Sequence, residues 1–411
     1  MLRSKYIFYL YVGCWAFYNI QYLFGLEGSL LTRVLILILN VVSLFYCFAA
    51  HVFKTTPLYI KALDAFLIMM TIYGIIYLYS EPVALYMDQV SGNYNYLKKI
   101  YNSLLPIYFF YYYTRIGVLN ENNIKKLVCF FLFLALLEYM ANEYSCIKAI
   151  ESMNFDVDKS EIVNNMGYGF LALFPSMVLF NKNRTLQYVA LMYIMVFVLL
   201  GLKRGAILIS FICLLFFLWK NLRDQTRLRT IGTIVMSLVV IISVVFLIQY
   251  LIENNVFFYA RVNDTLNGNS SGRDYLYETC IDHFLYHTND IQLFFGSGAM
   301  ATLYVTRVNY AHNDWLELAV NQGLLGVFVY LFYWIAFVRL ILHVKNNEIK
   351  FILELIFIIC FLQTFFSMSY SSMNIYSTSM LGYCLGRSYM PSNMKHSDEL
   401  LYLNDQNTLS Y

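Results

Sequence analysis

Taken only as hydrophobic and polar positions, the chain is a succession of apolar blocks separated by short polar breaks. The blocks run from Tyr6 to Phe24, Leu30 to Ala50, Leu58 to Tyr79, Ile100 to Val118, Leu127 to Tyr144 and Gly167 to Phe180. They continue from Leu186 to Leu202, Gly205 to Trp219, Ile231 to Ile252, Trp315 to Val344, Phe351 to Met368 and Ile375 to Tyr389. A bilayer core about 30 Å thick takes roughly 20 apolar residues per helix. Backbone groups in lipid must bond within their own segment, and these runs are too evenly apolar for the alternating strands of an outer-membrane barrel. The pattern predicts an all-α polytopic membrane protein of about twelve transmembrane helices. Two blocks are irregular: Gly167 to Phe180 is short and holds Pro175, and the last is rich in Ser and Gly.

One break stands apart. From Glu253 to Asn313, between the ninth and tenth helices, roughly sixty residues intervene where connections between packed helices are short. A loop of that size is expected to carry function. Its middle, Arg273 to His287, has apolar residues at helical spacing after a Gly-rich turn, which predicts an amphipathic helix near the membrane surface. The stretch FFGSGAM then supplies Gly296 and Gly298, read as a flexible turn; a lone GxG without a βαβ unit is weak support for a nucleotide site.

Composition leaves almost nothing for a soluble domain: of 411 residues 60% are hydrophobic and only 13% charged, so residues 1–411 are read as a single membrane domain. Basic residues gather in every second connection, at Arg3 and Lys5, Lys54, Lys125 and Lys126, Lys182 and Arg184, then Lys220, Arg223, Arg227 and Arg229. Lys345, Lys350, Arg387 and Lys395 continue the series. By the positive-inside rule those connections face the cytoplasm, with both termini and a tail at 390–411, and the 253–313 loop faces the periplasm. The opening MLRSK and the run after it, which holds Trp15 and lacks an A-x-A site, are read as a retained first helix. These inside loops account for the net charge of +3, which gives no reason to invoke nucleic acid. Eight cysteines show no CxxC spacing, and only Cys146 and Cys280, both in outward loops, are placed to meet as a disulfide.

Candidate chemistry concentrates on the outward face. His312, Asn313 and Asp314 stand where the large loop enters a long helix, and Lys203 and Arg204 occupy an outward connection with almost no loop. Arg261 and Arg273 belong to the same face. Basic residues there run against the positive-inside trend, as residues under functional constraint do. Guanidinium groups present a planar fork to phosphate oxygens, so two or three of them can hold a diphosphate and stabilise it as a leaving group without a metal. A histidine of ordinary pKa near 6.5 can take a proton from a sugar hydroxyl attacking an anomeric carbon. The pattern points to glycosyl transfer from a lipid-linked donor.

These residues resemble the O-antigen polymerase and O-antigen ligase superfamily, which includes Wzy-type polymerases. KRGAIL is similar to its motif of Arg followed four residues later by Leu, here Arg204 and Leu208, and GRDYLYE resembles its loop arginine motif. FFGSGAM resembles the Gly-containing turn after it, and HNDWLELAVNQGLLG the histidine segment, with Gly323 and Gly326 following. The likeness covers about residues 185–345, and it departs from the pattern at Tyr277, a position often Trp. What the resemblance implies is a GT-C-like glycosyltransferase of the bacterial inner membrane, acting in the periplasm. Its implied donor is undecaprenyl-diphosphate-linked oligosaccharide, with no metal or other cofactor. It implies Arg204 and Arg273 on the diphosphate and His312 as base at the acceptor hydroxyl. Arg261, Asn313 and Tyr277 join as substrate-binding candidates, and a chain-length regulator protein is a candidate partner.

Structural readings stand beside these. His312 with Asn313 and Asp314 also fits a helix cap; Arg204 and Lys203 fit side chains reaching to headgroups, and Arg261 and Arg307 solvated loop charges. His283 and His287, at i and i+4, have a zinc-compatible spacing on what reads as a surface helix. Within the membrane Lys61 and Asp64 are expected to pair, and Glu138 and Arg33 to settle at an interface or helix partner. The 38 Tyr and 34 Phe fit an interfacial aromatic belt, with Tyr275, Tyr304 and Tyr310 as candidates for a glycan groove. The leading reading is a surface-polysaccharide polymerase in lipopolysaccharide biosynthesis; the chain lacks a further recognisable acceptor element. The alternative is a ligase delivering finished glycan to lipid A core. A flippase or transporter is a third class, but such proteins show paired halves and broken helices at the midplane, and here no halves are visible and the polar groups favour one face.

Overall fold

The computed structural model describes residues 2–26, 28–53, 55–79, 94–151, 163–223, 227–268, 272–307 and 309–390. Lys54, Lys395, the tail from 391 onward, and the side chains of Arg3, Arg227, Arg229 and Arg261 lie outside the described residues. Among the described residues every regular element is helical. The first half comprises α1 (Leu2–Asn19), a 3-10 turn (Gln21–Phe24), α2 (Leu30–Ala50), α3 (Leu58–Tyr79), α4 (Tyr94–Leu104), α5 (Pro106–Arg115) and α6 (Glu121–Glu151). Then come α7 (Met166–Leu173), a 3-10 helix (Phe174–Phe180), α8 (Arg184–Leu200), α9 (Arg204–Arg223) and α10 (Arg227–Asn254). The large loop is itself helical, as α11 (Val256–Leu266), α12 (Arg273–Tyr286), α13 (Asp290–Phe295) and α14 (Ala301–Thr306). The chain closes with α15 (Asp314–His343), α16 (Asn347–Phe366) and α17 (Ile375–Ser388).

Each predicted apolar block falls on a helix or on two helical pieces in series. Proline marks two of the divisions. Pro106 begins α5, where its missing N–H costs nothing, and at Pro175 the α-geometry tightens to 3-10. Among the described residues six helices are long and apolar enough to cross a membrane: α2, α3 over Leu58–Ile76, α9, α10 over Gly232–Asn254, α15 and α16. Met166–Phe180 and Arg184–Leu200 are apolar but shorter. The apolar side chains Leu37, Val41 and Phe45 of α2, and Val235, Val239, Ile242 and Phe246 of α10, point outward, as lipid-facing surfaces do.

The Ser- and Gly-rich last block is an enclosed helix, buried from Ile375 to Gly386. Gly382 and Gly386, one turn apart, let the backbone of α5 come close; a Cβ at Gly382 would lie 2.6 Å from the Phe110 Cβ and 2.7 Å from the Ile107 carbonyl oxygen. Small residues at this spacing are how helices pack when lipid removes the hydrophobic drive between them. Charges collect at the bundle ends. At one end Lys220 pairs with Glu354, Lys125 pairs with Glu121 at 2.6 Å, and Arg184 donates to Thr233 at 2.7 Å. Glu348 there lies in the field of Glu121, Lys125, Lys182 and Arg387. Basic residues from four of the connections grouped by the positive-inside reading thus do share one end.

One expected pairing, and one disulfide that the sequence left open, are not formed. Asp64 turns to His51 at 3.1 Å and to the Tyr108 hydroxyl at 2.6 Å instead of to Lys61, which is exposed. Cys146 and Cys280 are free thiols: Cys280 is enclosed with Ala301, Ala311 and Val320 on the inner face of α12. Glu138 does find a helix partner, accepting from the Asn19 amide at 2.6 Å.

The glycine turn expected to be flexible is pinned. α15 breaks at Gly323, which sits at φ 65°, ψ −159°. The break releases the carbonyls of Val320 and Asn321, which accept from the amides of Ser297 at 2.8 Å and Gly298 at 3.0 Å. Gly296 and Gly323 approach so closely that a Cβ on Gly323 would stand 2.5 Å from the Gly296 nitrogen. Only glycine tolerates both the angle and the contact. Gly323→Ala is expected to destabilise by on the order of 1–3 kcal/mol from the backbone angle alone, read as a lower thermal midpoint of the purified protein in detergent; an unchanged midpoint would contradict the packing described.

Candidate functional site

The other end of the bundle holds the candidate residues, and the helical face of α12 explains how. Arg273, Tyr277 and Cys280 stand at i, i+4 and i+7, one face of a helix. That face meets the three residues before α15: Cys280 packs with Ala311, Tyr277 hydrogen-bonds with Asn313, and the charge of Arg273 acts on His312. The Tyr277 hydroxyl also donates to the Phe365 carbonyl at 3.0 Å, fixing α12 to the end of α16. Burial raises the phenol of Tyr277, with Arg273 and Asn313 pulling the other way.

Lys203 reaches the same point from the turn between α8 and α9. That turn is tight: Leu202 adopts φ 55°, and Gly201 lies against Gly167, with the Asn164 amide donating to its carbonyl at 3.1 Å. Gly205 lets the Tyr168 ring rest on the start of α9, and Tyr168 in turn feels Arg273. The charge of Lys203, read from sequence as a headgroup-seeking side chain, acts on His312. The imidazole is half-buried, and burial first, then Arg273, then Lys203, hold it below the ordinary histidine value of 6.5. At neutral pH it is an uncharged base between two cations.

Arg204 opens α9, and its Nη2 donates to Asp264 Oδ2 of α11 at 2.8 Å. Both groups remain part-exposed, so the pair is of the modest surface kind. Below it, α9 and α11 enclose a cavity of about 230 Å³ lined by Leu202, Ile207, Phe211, Phe258 and Val262, with Arg204 as its charged lining residue. The Arg261 side chain is outside the described residues. Arg307 is exposed at φ 56°, Tyr275 and Tyr304 are exposed, and Tyr310 is half-buried. His283 turns to Ser297 at 3.3 Å and His287 to Asp282 at 3.0 Å, and among the described residues no three His, Cys, Asp or Glu side chains form a metal-holding group.

Asn313 caps α15, its Oδ1 accepting from the amides of Trp315 and Leu316 at 3.0 and 3.2 Å. Asp314 does more than cap. It is fully buried and accepts from Tyr330 at 2.6 Å and from the amides of Ser369 and Tyr370 at 3.0 and 3.3 Å, tying the α16–α17 connection to α15. Glu317 is 1% exposed and accepts three hydrogen bonds of its own. Neither carboxylate was singled out as buried from sequence, although two acids three residues apart opening an apolar run are a legible oddity. Lys99 was missed as well. Its ammonium lies 5.1 Å from the Tyr310 ring centre and within the field of Glu317; burial, then Lys98, lower its pKa and Glu317 draws it back. Its signal was a lysine pair just ahead of the fourth block, in a connection that the positive-inside reading expects to face outward.

Strain gathers here too. Among the described residues the non-glycines with positive φ are Leu202, Met300, Arg307 and His312, all at this end. Such angles persist only where surroundings over-determine them, and they cluster at functional sites.

Residues 189–331 match the family model described as O-Antigen ligase, consistent with the O-antigen polymerase and ligase superfamily. Members are membrane glycosyltransferase-like enzymes. The match takes in Lys203, Arg204, Arg273, Tyr277, His312, Asn313, Asp314 and Glu317, and leaves Lys99, Tyr168 and the Ser369–Tyr370 clamp outside. No curated protein matches the chain.

Because Lys203 disfavours the protonated ring, Lys203→Gln is expected to raise the His312 pKa toward 6.5. Between the two values the variant ring is part-protonated where the parent ring is neutral. Titration of the imidazole by NMR on histidine-labelled protein checks this, and an unchanged or lower pKa would refute the grouping.

Proposed function

From the match of residues 189–331 to the O-antigen ligase family, we propose that the protein is a surface-polysaccharide polymerase of the bacterial inner membrane. It moves a growing glycan from an undecaprenyl-diphosphate carrier onto the non-reducing end of a new lipid-linked repeat unit, at the periplasmic face. The observation that carries this is the convergence of Arg273 and Lys203 on a neutral His312 at one end of the bundle. An acceptor hydroxyl attacks the anomeric carbon of the donor glycan, and the bond from that carbon to the diphosphate oxygen breaks. The hydroxyl proton passes to His312, and the carrier leaves as its diphosphate. Side-chain cations hold the developing charge: Arg273 and Lys203 beside the imidazole, and Arg204 once phosphate replaces Asp264 as its partner.

The depressed pKa of His312 suits this sequence of events. A bound diphosphate offsets the two cations that lower it, so the imidazole becomes a stronger base when the donor is in place. The cavity under Arg204 is apolar and takes the first part of the carrier's hydrocarbon chain. Arg261 is a further phosphate ligand in this reading, with Asn313 and Tyr277 at the glycan.

The family description itself favours a second reading, a ligase that delivers the same donor glycan to lipid A core. Purified protein given a labelled lipid-linked repeat separates them. Chain growth supports the polymerase, transfer only to lipid A core supports the ligase, and neither outcome removes both. Under the first reading His312→Ala is expected to lower chain growth by about 10²-fold or more. Arg273→Lys, which keeps charge but loses the fork, is expected to lower it by about tenfold or more. A fully active His312→Ala protein would end the assignment of the base.

A further inference from the structure

We propose that Glu317 is a positioning residue for His312: by holding the Ala311 amide, its carboxylate fixes the loop that presents the imidazole. Glu317 Oε1 accepts from the Ala311 N–H at 2.6 Å. Its Oε2 accepts from the Thr302 hydroxyl at 2.6 Å and from Asn321 Nδ2 at 3.1 Å, while Asn321 Oδ1 accepts from the Thr302 amide at 3.0 Å. One carboxylate thus joins the loop before α15, the start of α14 and the second turn of α15. The small side chain of Ala311 offers no polar handle, so the main-chain N–H is where this loop can be gripped, one residue before a histidine at φ 54°. Cys280, Ala301 and Val320 wall the alanine in.

The partners also explain why the residue is an acid. All three are donors, which suits a group that only accepts. A carboxamide keeps the Ala311 bond, and the Thr302 hydroxyl can turn to accept from its NH2; that NH2 would still oppose the Asn321 NH2. Turning Asn321 round would cost the bond to the Thr302 amide. Lys99 stands within electrostatic reach of the carboxylate. The charged groups that face the imidazole are Arg273 from α12 and Lys203 from the turn before α9, with Tyr277 and Asn313 beside it. Releasing the loop moves the ring away from both cations and into water, so its acidity and its accessibility change together.

The consequence for catalysis rests on the reading of His312 as base, but the test reads the ring itself, so the two fail separately. The full-length protein in detergent is treated with diethylpyrocarbonate, which modifies neutral imidazole, across a range of pH, and modification at each histidine is located by mass spectrometry. In the parent, His312 reacts slowly with a midpoint below 6.5, while the exposed His343 reacts freely. In Glu317→Ala the His312 rate is expected to rise about fivefold or more and its midpoint to climb close to the ordinary 6.5. Glu317→Gln, which keeps the Ala311 bond, is expected to stay within about twofold of the parent, and His343 to be unchanged throughout. A Glu317→Ala protein with parental His312 reactivity and midpoint, and His343 unchanged, overturns the proposal. Should that variant fail to fold, Thr302→Val removes one of the three donors at nearly constant volume. It is expected to shift His312 in the same direction by less, and no shift there would equally overturn the role of Glu317.

Discussion

A carboxylate taken out of water costs several kcal/mol unless its oxygens are supplied with donors, and α15 opens with two such groups. Asp314 and Glu317 stand three residues apart, hence on one side of the helix, and both are buried. Their donors are borrowed from far along the chain: Ser369 and Tyr370 for the first, Thr302, Asn321 and the Ala311 amide for the second. Satisfying these two acids therefore fixes where the α16–α17 connection, α14 and the loop bearing His312 lie. The Gly323 break contributes from the same helix, since the carbonyls it releases hold the Gly296–Gly298 turn. The end that holds the candidate site is assembled around the first three turns of one helix.

Much of the architecture was legible because membrane helices write themselves as uninterrupted apolar length. The block from Leu30 to Ala50 coincides with α2, and that from Leu58 to Tyr79 with α3. Uninterrupted crossing length was less legible, since Pro106 and Pro175 divide blocks that hydropathy reads as continuous. Side-chain pairing was the least legible. Sequence spacing offered Lys61 to Asp64, but tertiary packing supplied His51 and Tyr108 from neighbouring helices. Whether Cys146 and Cys280 pair was left open for a related reason: spacing does not say which helix face a thiol occupies, and Cys280 faces Ala311.

Of the residues that meet at this end, those with an exceptional charge or motif stand out in the sequence and those acting through hydrogen bonds do not. His312, Arg273, Tyr277 and Asn313 come together. Arg204 lies one residue from Lys203, and its guanidinium is turned toward α11. Lys203 reads as an interfacial lysine because nothing in its sequence neighbourhood reveals that its charge acts on His312. Glu317 and Thr302 are invisible to motif reading: their roles follow from a contact fifteen residues apart. Lys99 comes from the opposite half of the chain, so its place beside Tyr310 depends on how α4 packs with α3 and α5.

The distribution of charge closes the argument. Basic residues at one end of the bundle are met by acids, as Lys220 is by Glu354 and Lys125 by Glu121. At the other end Arg204 is likewise met by Asp264, while Arg273 and Lys203 both act on the imidazole of His312, which burial helps to keep neutral. Each of these charges disfavours a proton on the ring, and backbone strain at Leu202 and His312 is a further cost. An arrangement costly by itself persists when the rest of the fold supports it and a ligand relieves it. In the proposed reading, a ligand with two adjacent negative charges relieves it most directly, and the same neutralisation raises the basicity of His312. Binding the anion and preparing the base are then a single electrostatic event, which needs the cations, the imidazole and the carboxylates behind them to be held in one rigid frame.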